Sequence, residues 1–115
     1  MTPGECAKIN FSEALRRLPG PQGEHNVVLF EHGSLVIKLS QPRHVDLQKP
    51  HSRDELYVVA QGSGDFVCGT TRQPFSPNDV LFAAAGSEHR FENFSDDFAV
   101  WVFFYGPEGG EIDQI

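Results

Sequence analysis

From His25 to Tyr105 the apolar residues of this chain come in short blocks rich in Val, Phe and Tyr, separated by Gly, Pro, Ser, Asn or Asp. That spacing restricts the chain to an all-β sandwich or barrel. It predicts strands at Asn26–Phe30, Ser34–Leu39, His44–Lys49, Glu55–Ala60, Asp65–Cys68, Asp79–Ala83, His89–Asn93 and Phe98–Tyr105. Turns fall at His32-Gly33, Gly62-Ser63-Gly64, Gly69-Thr70-Thr71, Pro77-Asn78, Gly86-Ser87 and Ser95-Asp96-Asp97. Residues there accept positive φ or bond their own backbone, so antiparallel hairpins connect nearly everything.

One short helix is expected, with Ser12 as N-cap, Glu13 to Leu18 as its body and Pro19-Gly20-Pro21 as its stop. The chain's 115 residues supply one core, and ten phenylalanines are too much core material for a disordered segment. The expected division is an N-terminal segment with the helix over residues 1–24, a barrel domain over 25–106 and a C-terminal tail over 107–115, frayed from Gly109 onward.

Nine basic against sixteen acidic side chains give a formal charge of −7 with no Lys/Arg cluster, so nucleic acid and anionic membranes are repelled as partners. Cys6 and Cys68 do not make a disulfide scaffold, which points to reduced thiols and a cytoplasmic setting. Met1 to Phe11 lacks the basic and apolar regions of an export leader, and no stretch approaches the roughly 18 apolar residues of a membrane span.

Val27–Phe30 and Phe98–Tyr105 are apolar without alternation. A strand with one wet face alternates, so both faces of Phe98–Tyr105 should be covered. A small barrel fills one face. The N-terminal helix or loops can cover the other, or a second copy of the protein can; the expectation taken is a homodimer.

In His51-Ser52-Arg53-Asp54-Glu55, residues four apart on an extended strand would lie roughly 13 Å apart, too far to share a metal. A hairpin at Ser52 to Asp54 would bring the His51 imidazole and Glu55 carboxylate together. The apolar neighbours Leu56, Val58 and Val59 argue that Glu55 is partly buried and so needs a partner. A second element, Gly86-Ser87-Glu88-His89, puts another imidazole at a strand start after a glycine turn.

His51, Glu55 and Gly62 resemble the first motif of the cupins, and Asn78 to Asn93 resembles the second, so the likeness spans Lys49 to Asn93. The resemblance implies an antiparallel jelly-roll barrel holding a divalent metal (Fe, Zn, Mn, Ni or Cu) on His51, Glu55 and His89, beside a pocket for a small polar molecule. Oxygenase, isomerase and decarboxylase chemistry are the reaction classes it opens. Three departures stand out: Lys49 replaces the first histidine, Asn78 the opening glycine of the second motif and Ala84 its proline. Protonated Lys49 cannot ligate a cation. It can swing outward and leave a three-ligand site, or a bulge at Pro50 can present Gln48 as an oxygen ligand. The competing reading is a metal-free binding or sensing domain in which Lys49 holds an anionic ligand against the histidines.

Tyr57 shares a strand face with Glu55 and can offer its hydroxyl to a ligand or serve as plain wall. Glu55 can alternatively neutralise Lys49 or Arg53. Phe82, Phe91 and Phe104 are expected in barrel packing, Arg90 facing away, Asn93 in a turn, Cys68 in the core, and His25, His32 and His44 at the surface or strand ends.

Overall fold

The computed structural model describes residues 6–46 and 48–112. It contains one helix, α1 (Phe11–Arg16), and eight strands: β1 (Asn26–His32), β2 (Leu35–Ser40), β3 (Asp54–Gln61), β4 (Gly64–Cys68), β5 (Thr71–Phe75), β6 (Val80–Ala83), β7 (His89–Glu92) and β8 (Ala99–Tyr105). They form two antiparallel sheets, ordered β1-β2-β8-β3-β6 and β5-β4-β7. The expected all-β barrel with a short N-terminal helix is the observed architecture.

Period-two alternation sends Tyr57 and Val59 of β3 and Val100 and Val102 of β8 inward, where they meet Phe66, Phe75 and Phe91 from the smaller sheet. Phe91 is the hub, with ring centroids 5.0 Å from Tyr57 and Phe98, 5.5 Å from Phe66 and 5.6 Å from Phe75. Such pairs contribute about 0.5–1.5 kcal/mol each beyond their burial. Gly62, at φ +87, seals one corner: a Cβ there would sit 2.6 Å from the Phe98 Cα. Asn78, in the place of a motif glycine, also has positive φ, 75°. Asparagine tolerates that conformation better than most residues, so the substitution preserves the turn.

Several expectations are corrected. His44–Lys49 is not a strand: only an isolated Arg43–Val45 bridge forms, and His44 takes the left-handed φ of 63°. Leu47 lies outside the described residues. On the neighbouring edge of β7 the Phe91 N–H donates to the Asp46 carboxylate at 2.8 Å. The turn predicted at Gly69-Thr70-Thr71 closes one residue earlier and opens β5, an edge strand whose residues are exposed except Phe75. Its polar sequence hid it, and Pro74 is admissible only because an edge needs fewer ladder donors.

The helix is capped by Asn10, whose Oδ1 accepts from the Glu13 N–H at 3.0 Å, and not by Ser12. The tail is docked through Glu111: Gly109 N–H donates to Ser52 O and Glu111 N–H to Asp54. Residues 113–115 of the expected frayed segment lie outside the described residues. Phe82 faces outward, because Leu81 and Ala83 take the inward positions of β6.

Helix α1 covers part of the outer face of the large sheet. Ala14 packs with Leu39 and Ala99, and the Phe11 ring lies 5.8 Å from Trp101. Beyond it, Phe30, Ile37, Phe103, Leu56 and Phe82 are successive register partners across five strands, an apolar row that α1 does not reach.

Candidate metal centre

Two backbone ties bring the histidine elements together. The His51 carbonyl accepts from the Gly86 N–H at 2.8 Å, and the Asp54 carboxylate accepts from Ala85 N–H at 3.0 Å and Glu111 N–H at 2.9 Å. The first hairpin is therefore a bend at Ser52-Arg53 leading into β3, held by the turn that precedes His89. Sequence spacing alone could not show that the two elements meet; these hydrogen bonds join them.

The result places one ligand atom each from His51, Glu55 and His89 within 4.8 Å of one another. His51 Nε2 lies 3.7 Å and His89 Nε2 3.1 Å from Glu55 Oε1, with the His89 and Glu55 side chains 1% and 2% exposed. Although close, Glu55 Oε1 and His89 Nε2 lack the alignment of a hydrogen bond, and both are buried without a partner. His89 Nδ1 lies 3.0 Å from the Ser87 carbonyl, which can only accept, so Nδ1 carries the proton in the neutral ring and Nε2 a lone pair. Orphaned donor atoms turned toward one point, with a tautomer fixed from behind, fit a divalent cation. Glu55 does not neutralise Lys49 or Arg53: Arg53 reaches the carbonyls of Ser34 and Gly106 instead.

The electrostatics follow from burial. For His89, burial opposes protonation, but the Glu55 carboxylate, the Ser87 carbonyl and Asp46 together hold it above the ordinary histidine value. Burial, aided by Glu55, pushes the Tyr57 phenol far up, so it keeps its proton and donates to Gln48 Oε1 at 3.1 Å. Gln48 Nε2 in turn donates to Asp46 at 2.6 Å. Burial raises Asp46, against the lowering effect of the Phe91 N–H and Gln48. Gln48 thus holds Tyr57 and Asp46 together, and its oxygen is engaged within the protein.

His51 and Glu55 line a cavity of about 410 Å³, and His89 lies 3.1 Å from the Glu55 carboxylate. Gln48, Lys49 and Tyr57 all line it, with Lys49 exposed at the mouth and Tyr57 buried. Phe104 is cavity wall, its ring 5.0 Å from the His51 ring. Phe91 packs the core, Cys68 lies against it, and Arg90 is outward beside Glu92. Sequence reasoning gave no site role to several lining residues, His25, Lys38, Arg43 and Asp46 among them. His25 is exposed yet borders the cavity, Asp46 bridges Phe91 and Gln48, and Lys38 projects inward from β2.

A model of the Cupin domain family matches residues 37–105. Over 63 residues the chain is 36% identical to an uncharacterized protein of Streptomyces coelicolor, a match covering 55% of this chain and 60% of that relative's length. Among solved structures it resembles a cupin-2 domain containing protein from Shewanella frigidimarina, with TM-score 0.66, 15% identity and coverage of 85% and 94% of the two chains. It also resembles a double-stranded beta-helix protein from Klebsiella pneumoniae, with TM-score 0.69, 17% identity and coverage of 88% and 90%. At such identities these likenesses concern the fold. No helix among the described residues is long and apolar enough to cross a membrane. Since the family match runs from within β2 to the last residue of β8 and takes in both histidine elements, the chain belongs to the cupin family.

Proposed function

We propose that this cupin is metal-dependent, with His51, Glu55 and His89 holding one divalent cation at the wall of the cavity, facing a small polar molecule. The observation that carries this reading is the convergence of the three ligand atoms, two of them buried and unpaired. Two imidazoles and a carboxylate suit Fe, Zn, Mn, Ni or Cu. Such a cation supplies Lewis-acid polarisation, common to the oxygenase, isomerase and decarboxylase reactions open to this family. The chain's own residues orient and shield: Ser87 fixes the His89 ring, Phe104 backs His51, and Tyr57 keeps a proton beside Glu55.

Elemental analysis of protein purified without added metal, followed by Co²⁺ titration monitored by visible absorption, tests the reading. One equivalent is expected in the wild type, with loss of the bound-metal spectrum in His51→Ala, Glu55→Gln and His89→Ala. Uptake that is unchanged in all three variants, or absent from the wild type, removes it.

We propose further that the protein works as a homodimer. Supporting this, Val80 and Phe82 on edge strand β6 are 61% and 48% exposed, and Phe82 ends the apolar row that α1 leaves uncovered.

A further inference from the structure

The cavity inverts the charge balance of the chain. Acidic residues outnumber basic ones sixteen to nine overall, yet Lys38, Arg43 and Lys49 line the cavity against only Asp46 and Glu55. Asp46 is already engaged by the Phe91 N–H and Gln48, and Glu55 faces the two histidines of the candidate metal centre.

Lys38 is the informative cation. It stands on β2 opposite Val102, half-buried, with Nζ 5.4 Å from the centre of the Phe104 ring. Among the described residues it forms no ion pair and no hydrogen bond, and its ammonium lies over the Phe104 ring. A cation over an aromatic ring contributes about 0.5–1 kcal/mol where partly exposed. With no carboxylate paired to it, the ammonium is free to meet an anion that enters the cavity. The same Phe104 ring carries His51 against it, so one aromatic side chain separates the unpaired ammonium from the candidate metal centre.

Resting on the metal-centre reading above, we infer that the cavity receives a small molecule bearing an anionic group, a carboxylate or a phosphate, held by Lys38 while its other polar end faces His51, Glu55 and His89. Arg43 and Lys49 at the rim raise the local concentration of such anions in an otherwise acidic protein.

Isothermal titration with succinate, inorganic phosphate and the uncharged succinamide tests this, on wild type, Lys38→Met and Lys38→Arg, each in EDTA and with Zn²⁺. At least one anion should bind the wild type, and which of the two binds more tightly identifies the group. Lys38→Met should weaken that binding by at least about tenfold, or about 1.4 kcal/mol. Lys38→Arg should largely restore it, and succinamide should bind far more weakly than succinate. The inference is overturned if Lys38→Met matches the wild type, if succinamide binds as tightly as the preferred anion, or if neither anion binds at about 10 mM, a free energy already near the weakest useful range. Zn²⁺ titration of Lys38→Met separates the two readings, since removing a nearby cation should leave metal affinity equal or tighter. Lys38-dependent anion binding in a protein that takes up no Zn²⁺ would remove the metal reading and keep this one.

Discussion

Replacing Glu55 by Gln separates the penalty this carboxylate imposes on the metal-free fold from what it gives a bound cation. Glu55 is 2% exposed and its Oε1 has no hydrogen bond. A buried group in that state costs about 1–3 kcal/mol. Gln is nearly isosteric and uncharged, and a small rotation of its amide brings an N–H onto the His89 Nε2 lone pair, 3.1 Å from the present Oε1. Without the carboxylate, His89 reverts toward the neutral ring, so no uncompensated charge is left behind. The metal-free variant should therefore gain about 1 kcal/mol, the low end of that range, which is roughly 4 °C in Tm for a domain of this size. With Zn²⁺ at about 100 times its Kd, the wild type should gain about 2.7 kcal/mol. That corresponds to roughly 11 °C. If the variant binds about 100-fold more weakly, the same Zn²⁺ concentration gives about 0.4 kcal/mol. Its Tm should then move by about 2 °C. Scanning calorimetry in EDTA and at one fixed Zn²⁺ concentration measures both arms. A variant destabilised in EDTA, or stabilised by Zn²⁺ as strongly as the wild type, would refute the reasoning.

Asp54 accepts two backbone N–H groups, first Glu111 and then Ala85, which hold its carboxyl below the usual aspartate value. Its contribution is complete above the unfolded-state value and is lost as pH falls through the lower folded one, so Asp54→Asn should flatten the acid limb of urea-denaturation stability. Asn10→Ala should cost about 1 kcal/mol by denaturant titration and Ser12→Ala within about 0.5 kcal/mol, because only Asn10 caps α1. Gly62→Ala should lose more than about 2 kcal/mol or fail to accumulate as soluble protein, since its Cβ meets the Phe98 backbone at positive φ. Sedimentation velocity at micromolar concentration should show a dimer of twice 12.8 kDa that Phe82→Glu converts to monomer; a monomeric wild type ends the dimer proposal.

The site was legible where its information is local. His51 and Glu55 flank one bend, and His89 opens a strand after a glycine turn, so spacing singled out the three residues, while only the cupin resemblance implied that they meet. What escaped depended on which face of a strand looks inward. In Leu35-Val36-Ile37-Lys38-Leu39-Ser40 the more apolar phase, Leu35, Ile37 and Leu39, suggests the interior, yet Leu39 packs under α1 and Lys38 enters the cavity. The large sheet is apolar on both faces, so hydrophobicity could not assign its sides. The same ambiguity left the outer face of Phe98–Tyr105 undecided between helix and partner; α1 covers its Ala99 and Trp101 end. The segment around Asp46 misled for another reason. Its Val and Leu suggested a strand, but the Phe91 N–H is satisfied by a side chain, which no strand pattern encodes.

The position of β8 has a consequence for how the chain is made. It is the last described strand along the sequence, yet it lies in the middle of the five-stranded sheet, between β2 and β3. A ribosome releasing the chain exposes β2 and β3 before their shared partner exists, so the large sheet can close only after Tyr105 has emerged. Closure across such sequence separations is slow, and until it occurs two apolar strand edges stay open. Pausing of synthesis before residue 99 should leave this protein a client of holding chaperones, whereas the β4–β5 hairpin, joined through two residues, needs no later sequence to pair.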